Sequence, residues 1–389
     1  MSNKSKLTSF FTSIGKFFKQ LNQVLRDQFS RWFKSVSFQN FTSSLTAILA
    51  GLIVGLIILL ITNPSKAWAG FGKIIAGGFT GGLAGIGDIL YYATPILLTG
   101  LSVGFAFKTG LFNIGAAGQY MVGQFASVYV ALTFTGLPSL LHWMLATIAG
   151  FIVGALWGTI PGLFKAYLKV NEVITTIMFN YIGMYLVNMI ITSTSHLYDL
   201  LTARTKNLPA SSNIPKMGLN YIFLGSSVNG GIIIAIVVAI IIYIILNQTI
   251  FGYELKACGL NQDACKYAGI NEKRSIVFSM MIAGGLAGLG GALAILAGSG
   301  NHIETIDVLA VNGFNGIPVA LLGLSNPIGI IFSALFISHI SQGGFYMQLH
   351  AFAPEIVDII LSVIIYFSAF ALIIKVLISN IRHTRQKRG

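Results

Sequence analysis

Residues 110–124 read GLFNIGAAGQYMVGQ, with no charge, four glycines and the amides Asn113, Gln119 and Gln124. The stretch is too apolar for a surface loop, and glycine is a poor choice inside a water-soluble helix. Within hydrocarbon a charge costs at least about 2.5–3.5 kcal/mol, whereas a neutral amide can still offer hydrogen bonds to a polar solute. The chemistry suggested is passage, not catalysis. Asn113 and Gln119 are the pathway candidates. Gln119 and Gln124 lie about 140° apart around a helix, so both cannot face one narrow pore, and Gln119 is preferred. The same amides can instead bond neighbouring helices, and Gly115, Gly118 and Gly123 let those neighbours approach.

Two further stretches offer walls of the same kind. After Glu172, which suits a helix N-terminus, Thr176, Asn180 and Gly183 share one helical face. Gly313 to Gly323 would be only about 16 Å long as a helix, too short to span, so a discontinuous helix lining a cavity is expected there. Its polar and breaking residues are Asn315 and Pro318. Phe112, Tyr120 and Phe314 could offer aromatic faces to a flat solute, or simply pack.

TIFGYELKACGLNQDACKYAGINEKRS, residues 249–275, has a different pattern. Gly259 can end one helical turn, Asn261 can cap the next, Asp263 favours its positive end and Gly269 can take the left-handed closing position. Asn261 to Ala268 is expected to be a short helix with Ala264 in its first turn. So short a helix is marginal alone, which suggests docking against a partner; a solvated loop is the plainer alternative.

Catalytic constellations are missing from the sequence: there is no phosphate loop, no H-E-x-x-H and no nucleophile elbow. The six histidines lack ligand spacing, so no metal is assigned. Cys258 and Cys265 share a loop expected to be cytoplasmic, where thiols stay reduced, so no disulfide is expected.

The elements that must hold these residues follow from composition. With 55% hydrophobic and 9% charged residues over 389, the chain reads as an all-α polytopic membrane protein. Charge-free windows occur at residues 35–65, 89–107, 173–198, 217–253, 275–303 and 359–374. Two double-length windows, 109–164 and 308–354, break at Gly136-Leu137-Pro138 and Ser325-Asn326-Pro327. Ten spans result. Both ends are basic, with seven Lys/Arg in the first 44 residues and five from Lys375 onward, so both termini are expected in the cytoplasm. Threading ten spans places 19 of the 24 Lys/Arg inside, for a net +14 inside and −1 outside.

The expected organisation is a basic amphipathic segment (1–44), a transmembrane region (45–378) and a basic tail (379–389). Phe10, Phe11, Phe17, Phe18, Trp32 and Phe33 alternate with Lys16, Lys19, Arg26 and Arg31, as in a helix lying on the membrane surface. A partly disordered tail is the other reading of that segment. The net charge of +13 therefore points to anionic lipid, not nucleic acid. A self-sufficient ion-coupled carrier would need an ionisable residue deep in a span, but Asp88, Glu355 and Asp358 fall near span ends.

FGYELKACGLNQDACKYAGIN resembles the cytoplasmic coupling loop of importer-type ABC transporter permeases in the simple-sugar and nucleoside branch. GLFNIGAAGQ resembles its nucleoside and guanosine permeases more closely. IPGLFKAYLKVNEVITTIMFNYI (160–182), AGGLAGLGGAL (283–293) and GFNGIPVALLGLSNPIG (313–329) continue the likeness in order. Departures are Ala117, where an acid is common, and Asn315-Gly316-Ile317-Pro318 in place of Asp-Gly-Ile-Ala. The resemblance implies a transport subunit in a bacterial cell membrane, without its own ATPase site, carrying a nucleoside or related simple sugar. It also implies a second homologous permease, a cytoplasmic subunit holding ATP and magnesium, and an extracytoplasmic substrate-binding lipoprotein. Gly259, Asn261, Asp263, Ala264 and Gly269 would be its coupling residues.

Overall fold

The structure is a computed structural model that describes residues 36–298, 300–349 and 352–369. Most of the amphipathic segment and all of the basic tail 379–389 lie outside the described residues. Residues 51–369 form one compact unit, and the described residues 36–50 lie outside it.

The described residues are mostly helical. Helix α1 covers Val36–Thr62, α2 Ala67–Ala76, α3 Gly82–Lys108, α4 Ala116–Thr133, α5 Ser139–Leu168 and α6 Glu172–Ser193. After a structured loop come α7 (Gly231–Gln248), α8 (Ile250–Leu260), α9 (Gln262–Tyr267) and α10 (Glu272–Ile295). The broken pair α11 (Val311–Phe314) and α12 (Gly316–Leu322) precedes α13 (Pro327–Gln348) and α14 (Pro354–Ala369).

Seven of the described helical segments are long and apolar enough to cross a membrane, against the ten spans expected. Helix α4, with 18 residues, carries Gln119 and Gln124 and is largely buried by other helices, so it needs less apolar surface. The pair α11–α12 is too short. Both expected breaks are present: α4 ends at Thr133 before α5 starts at Ser139, and Asn326 caps α13 by accepting from Ile328 N at 3.0 Å, with Pro327 in the first turn.

Helix α7 shows how the lipid side is made. Ile233, Val237, Ile240, Ile241 and Ile244 are exposed, while Ile232, Ala235, Ala239, Ile242 and Leu246 pack inward. In contact with lipid tails this exposed stripe carries no penalty.

Two groups of connections are each held by bonds among their own members. In one group, residues 194–230 bind 296–305 through Thr205 N to Ile303 O (2.9 Å), Leu208 N to Asn301 O (3.1 Å) and Ile214 N to Leu296 O (2.9 Å). A short antiparallel hairpin, β1 (Tyr198–Asp199) with β2 (Arg204–Thr205), projects from it. Asp199 accepts from Thr202 Oγ1 at 2.8 Å and from Leu201 N at 3.0 Å, which together hold its carboxyl below the usual carboxylate range. Ser139 joins this end by donating to Ser211 O at 3.0 Å. In the other group, Lys165 pairs with Glu172 at 2.8 Å, Lys273 lies over the Tyr167 ring, and α8 meets the turn after α3.

The centre of the unit is α10, packed against α3, α4 and α5. Its fit against α5 is made by glycines four residues apart: Gly150, Gly154 and Gly158 face Gly284 and Gly288. A methyl group at Gly154 would sit 2.6 Å from the Gly284 carbonyl oxygen, and one at Gly158 2.5 Å from that of Met280. Two backbones occupy the space that side chains would need.

One expectation is overturned here. Cys258 and Cys265 are joined as a disulfide, their Cα atoms 5.0 Å apart. Helices α8 and α9 fold against each other at Asn261, and each turns its one cysteine inward, so the two sulfurs meet.

The glycine seam makes a direct prediction. Gly284→Val should cost about 1–3 kcal/mol through overpacking, read as a lower thermal unfolding midpoint of the purified protein. Gly136→Ala, with no atom within 4 Å of the added carbon, should leave the midpoint unchanged.

Candidate functional site

Asn113 and Gln119 meet in the turn and first turn that link α3 to α4. Asn113 Nδ2 donates to Gln119 Oε1 at 2.7 Å, and Gln119 Nε2 returns a bond to Asn113 Oδ1 at 3.1 Å. Asn113 Nδ2 also reaches Ser102 Oγ on α3 at 3.1 Å, and both amides are buried. The arrangement is a closed clasp across the turn. The turn itself needs Gly110, at φ +75°, and Thr109 Oγ1 hydrogen-bonds Ser279 Oγ on α10. Phe112 stacks on Phe107 with ring centres 4.8 Å apart.

The face of α6 carrying Thr176, Asn180 and Gly183 packs against α4. Asn180 Nδ2 donates to Ile114 O at 3.0 Å, and its Oδ1 accepts from Gly118 N at 2.7 Å. Those bonds satisfy backbone groups at the start of α4 that the helix cannot satisfy itself. Thr176 donates to Val173 O on its own helix, and Gly183 makes room for Trp157 and Val122. Asn171 caps α6 by accepting from Val173 N at 2.8 Å.

Open space lies instead beside α3 and the broken helix. One cavity, about 330 Å³, is lined by Tyr91, Tyr120, Gln124, Asn229 and Asn301 among others. A second, about 480 Å³, is lined by Asp88, Asn315, Ser341, Gln342 and Tyr346 among others. Tyr92 and Asn312 line both. Of the residues singled out from sequence, Asn315 lines the second cavity and Tyr120 the first, while Asn113, Gln119, Thr176, Asn180, Phe112 and Phe314 line neither. Gln124 is on the cavity wall, as the angular argument allows for only one of the two glutamines. Asn312, Tyr91 and Tyr92 escaped the sequence reading. The signal available was an asparagine repeat, Asn312 and Asn315, spaced to lie on one helical side.

Helix α9 is built as its sequence foretells. Asn261 Oδ1 accepts from Ala264 N at 3.0 Å, and Asp263 stands in the first turn. Gly269, at φ +77°, closes the helix with Gly269 N to Lys266 O and Ile270 N to Cys265 O, both 3.1 Å. This is the paired 5→2 and 6→1 closure that a left-handed glycine permits. Of its residues only Cys265 is buried; Leu260 and Tyr267 on either side are 89% and 94% exposed. Gly259 lies against the 109–110 backbone, so that an added carbon there would be 2.5 Å from Thr109 C. The exposed tip and the Asn113–Gln119 clasp are therefore only one backbone contact and a short turn apart.

A family model described as "Branched-chain amino acid transport system / permease component" matches residues 85–369. The chain is 40% identical over 337 residues to the nucleoside ABC transporter permease protein NupB of Lactococcus lactis, covering 86% of this chain and 92% of that one. It is 38% identical over 341 residues to the guanosine ABC transporter permease protein NupP of Bacillus subtilis, covering 87% and 95%. The glucose ABC transporter permease protein TsgB13 of Haloferax volcanii is 30% identical over 332 residues, covering 82% and 84%. No solved structure matches.

The clasp predicts non-additive stability. Asn113→Ala or Gln119→Ala leaves a buried amide without its partner and should cost about 1–3 kcal/mol. Replacing both with leucine should recover part of that loss, so thermal unfolding of the single and double variants should give a clear coupling between the sites.

Proposed function

Because this chain belongs to the branched-chain amino acid transport system / permease component family, we propose that it is one of two membrane subunits of an ABC importer that moves nucleosides into the cell. The observation that carries the choice of solute is the 38–40% identity, over most of both chains, to a nucleoside and a guanosine permease. Site chemistry supports it. No lysine or arginine lines either cavity, and the linings offer tyrosines and amides suited to a flat base and an uncharged ribose.

In this reading the chain crosses a bacterial cell membrane ten times with both termini in the cytoplasm. The basic segment 1–44 and tail 379–389 meet anionic lipid. The hairpin end faces outward, toward a substrate-binding lipoprotein, and α9 faces a cytoplasmic subunit that holds ATP and magnesium. Lys165 and Glu172, Tyr167 and Lys273, and α8 with the 109–110 turn all lie at that inner end. Asn113, Gln119, Thr176, Asn180, Phe112 and Phe314 remain pathway candidates in other conformations of the cycle, in which the clasp would open.

Coupling would run through backbone. Closure of the ATP-binding partner moves α9, which Gly259, Asn261, Asp263, Ala264 and Gly269 hold in shape. Helix α8 passes that movement to Gly110 and on to α4.

The test is uptake by the complete complex in proteoliposomes. Labelled guanosine should accumulate only with ATP and should be displaced by other nucleosides but not by glucose or leucine. Accumulation of glucose or leucine alone would overturn the choice of solute. Coupling has its own test: in complexes matched for assembled yield, Gly259→Val should lower nucleoside taken up per ATP hydrolysed several-fold. An unchanged ratio would remove α8 from the coupling route.

A further inference from the structure

We propose that Tyr92 and Asn312 form the selecting constriction of the solute path, where a planar, neutral, hydrogen-bonding solute is read as it passes from one cavity to the other. The solute class rests on the reading above; the location of the constriction does not.

Position is the first argument. These two residues, and no others, line both cavities. Tyr92 is 52% exposed, with its ring edge-on to Tyr91 at 5.1 Å between centres, so a face is left open for stacking. A cavity of about 330 Å³ lies in the size range of small-ligand pockets.

Preorganisation is the second. Asn312 begins the broken helix, and its carbonyl accepts from Thr99 Oγ1 at 2.9 Å. The next turn is held against α3 and α4 at backbone distance: a methyl at Gly316 would sit 2.5 Å from Thr99 C, and one at Gly313 2.9 Å from Ala117 N. With its backbone fixed, Asn312 still has a replaceable side-chain bond, since Nδ2 reaches the Tyr120 hydroxyl only at 3.4 Å. A bond at that limit can be exchanged for one to a solute at little cost.

Charge is the third. Asp88 is engaged by Ser227 N at 3.0 Å, and His302 by Arg204 Nη1 at 3.0 Å. Asp88 still stands at the edge of the second cavity, so the junction offers an aromatic face, an amide and the Tyr120 hydroxyl beside one carboxylate. Such a site favours a heterocycle with donors and acceptors in its plane, and it gives an anion no partner.

The experiment uses the full complex in proteoliposomes. Asn312→Leu should lower initial uptake about ten-fold, the worth of one lost hydrogen bond, and change the order in which purine and pyrimidine nucleosides compete. Tyr92→Phe should retain uptake and Tyr92→Ala should lose it. Since a variant of Asn312 could fail to assemble, Tyr92→Cys at the exposed position supplies a second measurement. Tyr92→Cys also lacks the ring and is itself expected to take up little, so the readout is the rate of its modification by methanethiosulfonate ethylammonium, which nucleoside should slow. Wild-type uptake and solute order in both Asn312→Leu and Tyr92→Ala, or modification of Tyr92→Cys at the same rate with and without solute, would overturn the constriction. If the wild-type complex carries glucose and no nucleoside, the functional reading fails. Protection of Tyr92→Cys by glucose would still decide the constriction.

Discussion

Inside hydrocarbon, burying one apolar helix against another gains little over leaving it in lipid, so helix association depends on how closely backbones can approach. In this chain that approach is set by glycine. The seam between α5 and α10 brings the carbonyls of one helix onto the Cα atoms of the other. Helix α10 could not otherwise lie at once against α3, α4 and α5. The same device recurs where Gly123 and Gly291 join α4 to α10, where Gly313 and Gly316 fix the broken helix, and where Gly259 meets Gly110.

Such contacts explain how a polar site can be held in an apolar setting. A buried amide is expensive unless its bonds are satisfied: Asn113 and Gln119 satisfy each other and Ser102, and Asn180 satisfies the backbone at the start of α4. Asn312 and Asn315, in contrast, border open space. The chain thus divides its amides between those that close helix ends and those that face a cavity. Residue type alone does not separate the two groups; what separates them is whether a neighbouring turn offers a partner within 3 Å or so.

Local chemistry was the legible part of the sequence. Charge-free windows located the long helices, Gly136-Leu137-Pro138 and Ser325-Asn326-Pro327 located two breaks, and the Asn261, Asp263 and Gly269 pattern specified α9 nearly to the residue. These features arise from interactions within a few residues of each other. Cavity membership was not legible, because it depends on which helix from elsewhere in the chain covers each face. Helical geometry said that Gln119 and Gln124 must point apart, but only tertiary packing decided that Gln124 meets the opening. The cysteine pair failed for a related reason: compartment argues for thiols, while the fold at Asn261 brings two inward-facing sulfurs together. The glycine seam did carry a visible sign, four-residue spacing at Gly150, Gly154 and Gly158, which was eclipsed by the amide-rich segment before it.

The seam also constrains biogenesis. Helix α5 is synthesised well before α10, and Gly158 must wait for Gly284 through the whole of α6, the 194–230 loop, α7 and the α8–α9 turn. Until then α4 covers the α5 seam only near Gly150, through Ser127, and the groove at Gly154 and Gly158 stays open. Non-local pairing of this kind is slow and exposes intermediates to wrong partners. The nascent chain therefore passes through a vulnerable interval whose length is fixed by translation of about a hundred residues.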